Sequence, residues 1–349
     1  MIGRKKLYNN ESAVSVLVGT LALIAVVIAG TMGIAAIVGS FSTDVSKQAS
    51  PDQSVAATKT PVYISGSDNM DVLTRSLAES YTAENPSVRI VYGIISPASV
   101  YNSINSKITD IGALAGPISY ADITKNPDIK TTQIGSSAVV VITNKVNLTS
   151  YDNPTYTNLK NFFTSSCGGS PCGPLAGAQA VTRIDSSGTA DTFCNNFLGI
   201  PSSSTCLGII QENSDADVIS YVASNPNAVG FADYGDVQTA ISNNGVPISI
   251  ISIDDSIRNY PAGSLTYDNV KVAAKYQYLS TQRHADGSPV WTGTQLANVL
   301  EYNLSLCYPL YYVTKDKPNT VQQGILDYAT SPAARPAFIK ANVFSVADF

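Results

Sequence analysis

Strand-like and helix-like segments alternate along this chain from residue 61 to its C-terminus. Short apolar runs with a period of two are followed by amphipathic runs with a helical period. The predicted strands cover residues 61–65, 89–92, 110–113, 133–143, 228–231, 247–253 and 309–314. This alternation predicts α/β layers with helices on both faces of a sheet. Ligands of such sheets bind beyond the carboxyl ends of the strands, so we expect the functional residues there.

Three of the strand–turn–helix junctions are polar, and they contain Ser67-Asp68-Asn69, Ser96 and Ser187-Gly188-Thr189. Backbone N–H groups at the start of a helix have no intrahelical acceptor and therefore favour an anion. In the third junction, the Arg183 guanidinium and the Ser187 and Thr189 hydroxyls add donors that suit a tetrahedral oxyanion. Asp185 is placed to orient the guanidinium. The alternative is that this turn only caps a helix.

The composition argues against several classes of function. Charged residues make up 13% of the 349 positions, the net charge is -5 and no basic stripe is present, so a nucleic-acid partner is not expected. The only histidine, His284, lacks a recognisable nucleophile partner, which argues against a Ser-His-Asp enzyme. A single histidine and these cysteine spacings are also poor for zinc. The sequence therefore predicts a non-enzymatic protein without metal or cofactor.

The N-terminal region has a different character from the rest of the chain. Residues 12–43 contain no charged residue, and Arg4, Lys5 and Lys6 precede them. A helix of this length would run about 48 Å, whereas the hydrocarbon core of a bilayer is about 30 Å thick. The basic residues place the N-terminus in the cytoplasm and send the remaining chain outward. The sequence predicts a basic leader (1–11), a hydrophobic, membrane-spanning helix (12–43) and a linker (44–60).

The segment Glu11-Ser12-Ala13-Val14-Ser15-Val16-Leu17-Val18-Gly19 resembles the start of archaeal type IV pilins, although Val16 stands where that family usually has proline. The resemblance implies cleavage after the short leader and bundling of the apolar helices into a filament core. It also implies that Glu11 pairs with the amino terminus of a neighbouring subunit. The alternative is a plain membrane anchor with a solvated acid at its edge.

Residues 61–349 resemble the phosphate-binding proteins of ABC phosphate transporters, a branch of the type II periplasmic binding-protein fold. The matching segments, in order, are Gly66-Ser67-Asp68-Asn69-Met70, Asp110-Ile111-Gly112, Arg183-Ile184-Asp185-Ser186-Ser187-Gly188-Thr189, Asn225-Pro226-Asn227-Ala228-Val229-Gly230 and Tyr308-Pro309-Leu310-Tyr311-Tyr312-Val313-Thr314-Lys315. The resemblance implies a two-lobed domain with lobe I formed by residues 61–145 and 308–349 and lobe II by residues 146–307.

The family's anion contacts map onto the polar junctions, so the resemblance implies a ligand set of Asp68, Asn69, Ser96, Arg183, Ser187, Gly188 and Thr189. Asp185 matches the acid that orients the arginine. Asp68 is the candidate acceptor for the proton of hydrogen phosphate; alternatively it only caps the helix that follows. The chain departs from the family pattern at Leu114-Ala115-Gly116, where a polar contact is usual. Phosphate is therefore expected at a weakened site.

The cysteines and two sequence triplets predict modifications suited to an extracellular protein. We expect disulfides between Cys167 and Cys172 and between Cys194 and Cys206, with Cys307 left free, although other pairings are open. Asn147-Leu148-Thr149 and Asn303-Leu304-Ser305 fit the N-glycosylation triplet, so Asn147 and Asn303 are candidate sites of a glycoprotein.

Two compatible functions follow from these observations. The first is an extracellular, ABC-transporter-type solute-binding protein for phosphate or a similar oxyanion, held at the cell surface by its anchor or pilin-like stalk. An ABC permease is a candidate partner. The second is a structural subunit of an archaeal type IV pilus-like filament that self-assembles through the N-terminal helix. Its binding-protein domain would then form the outer layer, with a degenerate ligand site.

Overall fold

Alternating strands and helices form one mixed sheet flanked by helices in the computed structural model. The structure describes residues 59–118, 120–164, 170–184, 187–200, 210–254, 267–282 and 302–349. The predicted leader and helix 12–43 lie outside these ranges, as do Glu11, Cys167, Asp185, Cys206 and His284. Within the described ranges, no helix has the length and hydrophobicity needed to cross a bilayer. All described residues belong to a unit that spans Thr58–Phe349.

The strands, numbered in chain order over the described residues, are β1 (Thr60–Gly66), β2 (Val88–Ile94), β3 (Ile111–Ala115), β4 (Ile129–Asn144), β5 (Gln179–Arg183), β6 (Ile210–Glu212), β7 (Ala228–Asp233), β8 (Ile248–Ile250), β9 (Cys307–Lys315) and β10 (Phe344–Ser345). The helices are α1 (Asp71–Glu84), α2 (Pro97–Asn105), α3 (Tyr120–Lys125), α4 (Leu148–Tyr151), α5 (Tyr156–Thr164), α6 (Gly188–Asp191), α7 (Asp215–Ser224), α8 (Tyr234–Asn244), α9 (Tyr267–Thr281), α10 (Thr320–Ala329) and α11 (Arg335–Lys340). The α/β class predicted from the alternation is confirmed.

The sheet has two halves that share one long strand. Its order is β2-β1-β3-β9-β4-β7-β5-β6, and β8 and β10 also pair with β4. Residues 129–138 of β4 pair with β9, whereas residues 139–144 pair with β7 and β8. From Ile134 onward every residue of β4 is buried, because a central strand with both faces covered carries a continuous apolar run. The sequence shows that run at residues 137–142.

Two of the differences from the sequence-based expectation lie between residues 247 and 281. The strand predicted over residues 247–253 is limited to β8, and helix α9 was not predicted. The buried residues of α9 are Val270, Ala273 and Ala274. These residues have helical spacing, but two of them are alanines, so the apolar stripe among the surrounding tyrosines and lysines is weak. Alanines can therefore form the buried face of a helix and still give only a weak helical pattern in the sequence.

Candidate functional site

The predicted anion loop follows β5 and opens a helix. Ser187 is the N-cap of α6, and its Oγ accepts a hydrogen bond from the Ala190 N–H at 3.1 Å. A π-helical segment, Thr192–Phe197, continues α6. The N–H groups of Gly188 and Thr189 lie in the first turn, where no intrahelical acceptor is available. Ser187 therefore caps the helix, and the first-turn amides remain suited to an anion.

Arg183 is buried between two acids that come from distant parts of the chain. Its side chain is 1% exposed. Nη2 donates to Asp68 Oδ2 at 3.0 Å and to the Asn213 carbonyl oxygen at 3.3 Å. Nη1 lies 3.0 Å from Asp215 Oδ2. The guanidinium thus links the first strand–helix junction to the start of α7.

The junction after β1 brings two predicted ligands to Arg183. Asp68 opens a short 3₁₀ helix, Asp68–Met70, and Ser67 is the N-cap of that helix while Met70 precedes α1. The cap alternative for Asp68 is therefore wrong, because its carboxylate is directed to Arg183. Asn69 Nδ2 donates to Thr189 Oγ1 at 2.9 Å. Asp68, Asn69, Arg183 and Thr189 thus form one cluster.

Asp215 belongs to this cluster and was not predicted. It is the first residue of α7, after the N-cap Ser214, and it is 1% exposed. Its Oδ2 accepts from Asn69 Nδ2 at 2.6 Å and from Thr189 Oγ1 at 2.9 Å. Burial raises the pKa of Asp215 to about 6, although Arg183 opposes the rise. In the sequence it looks like an ordinary acid in the first turn of a helix.

Ser96 and the segment Leu114-Ala115-Gly116 approach the site differently. Ser96 is the N-cap of α2, and its exposed hydroxyl hydrogen-bonds Ser99 Oγ at 2.7 Å, so its ligand role stays a prediction. The carbonyl of Ala115 packs directly on Gly188, where an added Cβ would lie 2.0 Å from that oxygen. Gly116 has φ +113° and contacts the Gly188 Cα. The apolar segment therefore covers the start of α6.

No protein-family model matches this chain, and no curated protein matches its sequence. Solved structures do match its fold. One, described as a phosphate ABC transporter substrate-binding protein with bound phosphate from Clostridium perfringens, gives a TM-score of 0.57 at 18% identity, covering 82% of this chain and 99% of that one. An ABC-type phosphate transport receptor from Vibrio cholerae gives 0.54 at 17%, covering 81% and 99%. PstS from Borrelia burgdorferi gives 0.50 at 16%, covering 82% and 99%.

This chain has the fold of those binding proteins. The α/β binding-protein fold expected from the order of the sequence segments is therefore confirmed, whereas the division into two lobes stays a prediction. Identities of this size establish the fold alone, so the ligand has to be argued from the residues of the site.

A cavity of about 250 Å³ adjoins the covered loop on the side of α2. Polar and apolar atoms line it about equally: Tyr101, Leu114 and Ile118 are among its lining residues, and Asp122 and Asp191 supply acids. Burial raises the pKa of Tyr101 above its ordinary value, and the charge of Asp122 adds to this rise. Gly116 and Gly188 line this cavity, whereas Asp68, Asn69, Arg183 and Thr189 do not. It therefore lies next to the donor cluster and does not contain it.

The predicted modification sites are only partly visible in the structure. Cys172 and Cys194 are disulfide-bonded, and Cys307 is a buried free thiol. The predicted pairing of the first two stays a prediction, since their expected partners lie outside the described residues. Asn147 Nδ2 donates to the Pro226 carbonyl oxygen at 2.6 Å. Asn303 is 5% exposed and caps a 3₁₀ turn, which argues against a glycan there in the folded protein.

Proposed function

We propose that this chain is a solute-binding protein for a small oxyanion, with phosphate as the first candidate. The observation that carries the proposal is the convergence of Asp68, Asn69, Arg183 and Thr189. These residues come from both halves of the sheet, and hydrogen bonds of 2.9 to 3.0 Å join Asn69 to Thr189 and Arg183 to Asp68. Such a set of amide, hydroxyl and guanidinium donors suits a tetrahedral anion.

The proposed chemistry is recognition without reaction. The N–H groups of Gly188 and Thr189, together with Arg183, would hold the oxygens of the anion. Asp68, with a side chain 37% exposed, would accept the proton of hydrogen phosphate, which sulfate lacks at neutral pH. The two predicted lobes, 61–145 with 308–349 and 146–307, would close on the ligand. Ser96 and Ser187 would complete the set, and Asp185 would orient Arg183.

Isothermal titration of the purified full chain with phosphate tests this proposal. We expect heat of binding in the natural chain and its loss in Arg183→Ala, because the anion then loses its charged donor. Arg75→Ala is the matched control. Arg75 is an exposed arginine of α1 that pairs with Asp71 at 2.7 Å, so its removal should leave binding unchanged. Absence of heat with phosphate, sulfate and related oxyanions would sink the proposal.

We also propose a second, compatible function as a surface-filament subunit. The observation that favours it is the contact of Ala115 and Gly116 with Gly188, which covers the start of α6 as a degenerate ligand site would. The pilin-like residues, including Glu11, would supply the filament core, or the same helix would hold a monomer in the membrane. Filaments in electron micrographs of shed surface material would support assembly, whereas an anchored monomer leaves none.

An ABC permease is the partner expected if the chain is a solute-binding protein.

A further inference from the structure

The donors assigned to the oxyanion are already engaged by an acid of the chain itself. Asp215 Oδ2 lies 2.6 Å from Asn69 Nδ2, 2.9 Å from Thr189 Oγ1 and 3.0 Å from Arg183 Nη1. A single carboxylate oxygen thus accepts hydrogen bonds from Asn69 and Thr189 and forms an ion pair with Arg183. We propose that Asp215 is an internal counter-ion of the oxyanion site and that the ligand binds by displacing its carboxylate.

The position of Asp215 suits this role. It is the first residue of α7, where the positive end of the helix dipole favours a negative charge. Its side chain is 2% exposed and that of Arg183 is 1% exposed, so the pair is little screened by solvent. An ionised carboxylate in this place resembles an oxyanion in charge and in its acceptor oxygens. The chain can therefore fill the site without a ligand.

The local charge explains why the ligand and the ionised Asp215 exclude each other. Arg183 carries one positive charge, and it pairs with both Asp68 and Asp215 at 3.0 Å. A phosphate on the same donors would bring further negative charge against two carboxylates. Like charges that share one cation in a site with little solvent repel each other strongly. Neutralising Asp215, by mutation or by a proton, should therefore favour the ligand.

The groups that face Asp215 set the pH at which this exchange becomes easier. Burial raises its pKa to about 6, Arg183 lowers it, and Asp233 and Asp68 raise it. Burial raises the pKa of Asp236 of α8 well above its ordinary value, the charges of Asp233, Asp215 and Asp68 add to this rise, and Arg183 opposes it. Below about pH 6 Asp215 takes up a proton and no longer forms an ion pair with Arg183. Ligand binding should then no longer be limited by this acid.

The inference rests on the proposed function, and phosphate titration of the full chain at pH 8 and pH 5 tests it. We expect Asp215→Asn to bind phosphate about tenfold or more tightly than the natural chain at pH 8. The difference in phosphate affinity between the two proteins should be smaller at pH 5, because Asp215 of the natural chain is then protonated. Phosphate has the same charge for both proteins at each pH, so its own titration cancels. Asp217→Asn, on an exposed residue of α7, is the matched control and should bind like the natural chain.

The outcomes separate the two proposals. If the natural chain binds phosphate and Asp215→Asn binds it equally or more weakly, the counter-ion inference is overturned and the binding function stands. Weaker binding would make Asp215 a ligand for the proton of the anion, since its Oδ1 is buried without a hydrogen-bond partner among the described residues. If only Asp215→Asn binds, the binding function of the natural chain fails and the inference stands.

A second measurement decides the case in which no variant binds. The melting temperatures of Arg183→Ala, Asp215→Asn and the double variant are compared in phosphate-free buffer. If Arg183 holds Asp215, removing the arginine alone leaves a buried carboxylate unpaired, so the double variant should melt higher than Arg183→Ala. If the decreases in melting temperature of the two single variants add up in the double variant, the two side chains are not coupled. This result would overturn the inference, whether or not phosphate binds.

Discussion

Arg183 and Gly188 show how single residues set the geometry of the site. Arg183 gathers acids from two other segments, and Gly188 allows the backbone of Ala115 to pack directly on the start of α6. A side chain at position 188 would meet a backbone carbonyl, which cannot rotate away. The absence of a Cβ therefore determines how closely the two halves of the sheet approach each other at the site.

We expect Gly188→Ala to lower the free energy of unfolding by about 1–3 kcal/mol, because the added methyl forces the Ala115 and Gly188 backbones apart. Urea unfolding of the full chain measures this change. Gly93→Ala is the control, since a Cβ at Gly93 meets nothing within 4 Å and Gly93 lies in the strand β2. Equal stability of the two variants would contradict this prediction, because it would mean that the backbones of Ala115 and Gly188 move apart with no loss of unfolding free energy.

At the scale of elements, a buried carboxylate joins three strands to a helix. Asp233 ends β7 and caps α8, accepting from the Asp236 N–H at 3.1 Å. Its Oδ2 also accepts from Ser137 Oγ of β4 at 2.5 Å and from the Tyr308 hydroxyl of β9. Burial raises the pKa of Asp233, and these donors lower it. The hydrogen bonds therefore offset part of the cost of burying this acid in the core.

Tyr308→Phe should cost about 1–3 kcal/mol of unfolding free energy at neutral pH, because a buried carboxylate loses a donor. Tyr312→Phe is the matched control on the same strand. Tyr312 is equally buried, but its hydroxyl donates to Thr74 Oγ1 at 3.3 Å, and we expect a loss of about 0.5–1.5 kcal/mol. Chemical denaturation of both variants provides the comparison. A larger loss in Tyr312→Phe would contradict the role given to Asp233.

The sequence predicted most of the strands and the local part of the candidate site, but it did not predict helix α9 or the part of the site that depends on tertiary contact. Strand and helix periods placed β1, β4, β7 and β9, and the order of short segments indicated the binding-protein fold. Arg183 and Ser187 were visible because strand, turn and helix follow each other within a few residues. The sequence did not reveal the role of Asp215, because its partners lie in other segments and its neighbours in the sequence are typical of the start of a helix.

At the scale of the whole molecule, buried acids set the pH dependence of stability. Burial raises the pKa of Asp215 to about 6 from an ordinary 3.8, and it also raises those of Asp233 and Asp236. A raised pKa in the folded state means that the folded chain binds protons more readily than the unfolded chain. The stability contributed by these groups is complete below about pH 4 and is lost as the pH rises through about 6 for Asp215.

The ligand-free chain should therefore melt at a higher temperature at pH 5 than at pH 8, as measured by calorimetry without phosphate. Asp215→Asn should reduce the difference in melting temperature between pH 5 and pH 8, because it removes one of the titrating groups. A melting temperature that rises steadily from pH 5 to pH 8 would mean that these acids are paired well enough to keep ordinary pKa values.

The place of β9 in the sheet also governs the order in which the chain can fold during synthesis. β9 lies between β3 and β4, although it follows both in the sequence by most of the domain. Until the ribosome has released residues 307–315, the β9-facing edges of β3 and of residues 129–138 in β4 have no partner, and unpaired edges invite wrong pairing. The half of the sheet built on β5 and β7 has its own strands much earlier. The N-terminal half therefore waits for the last part of the chain.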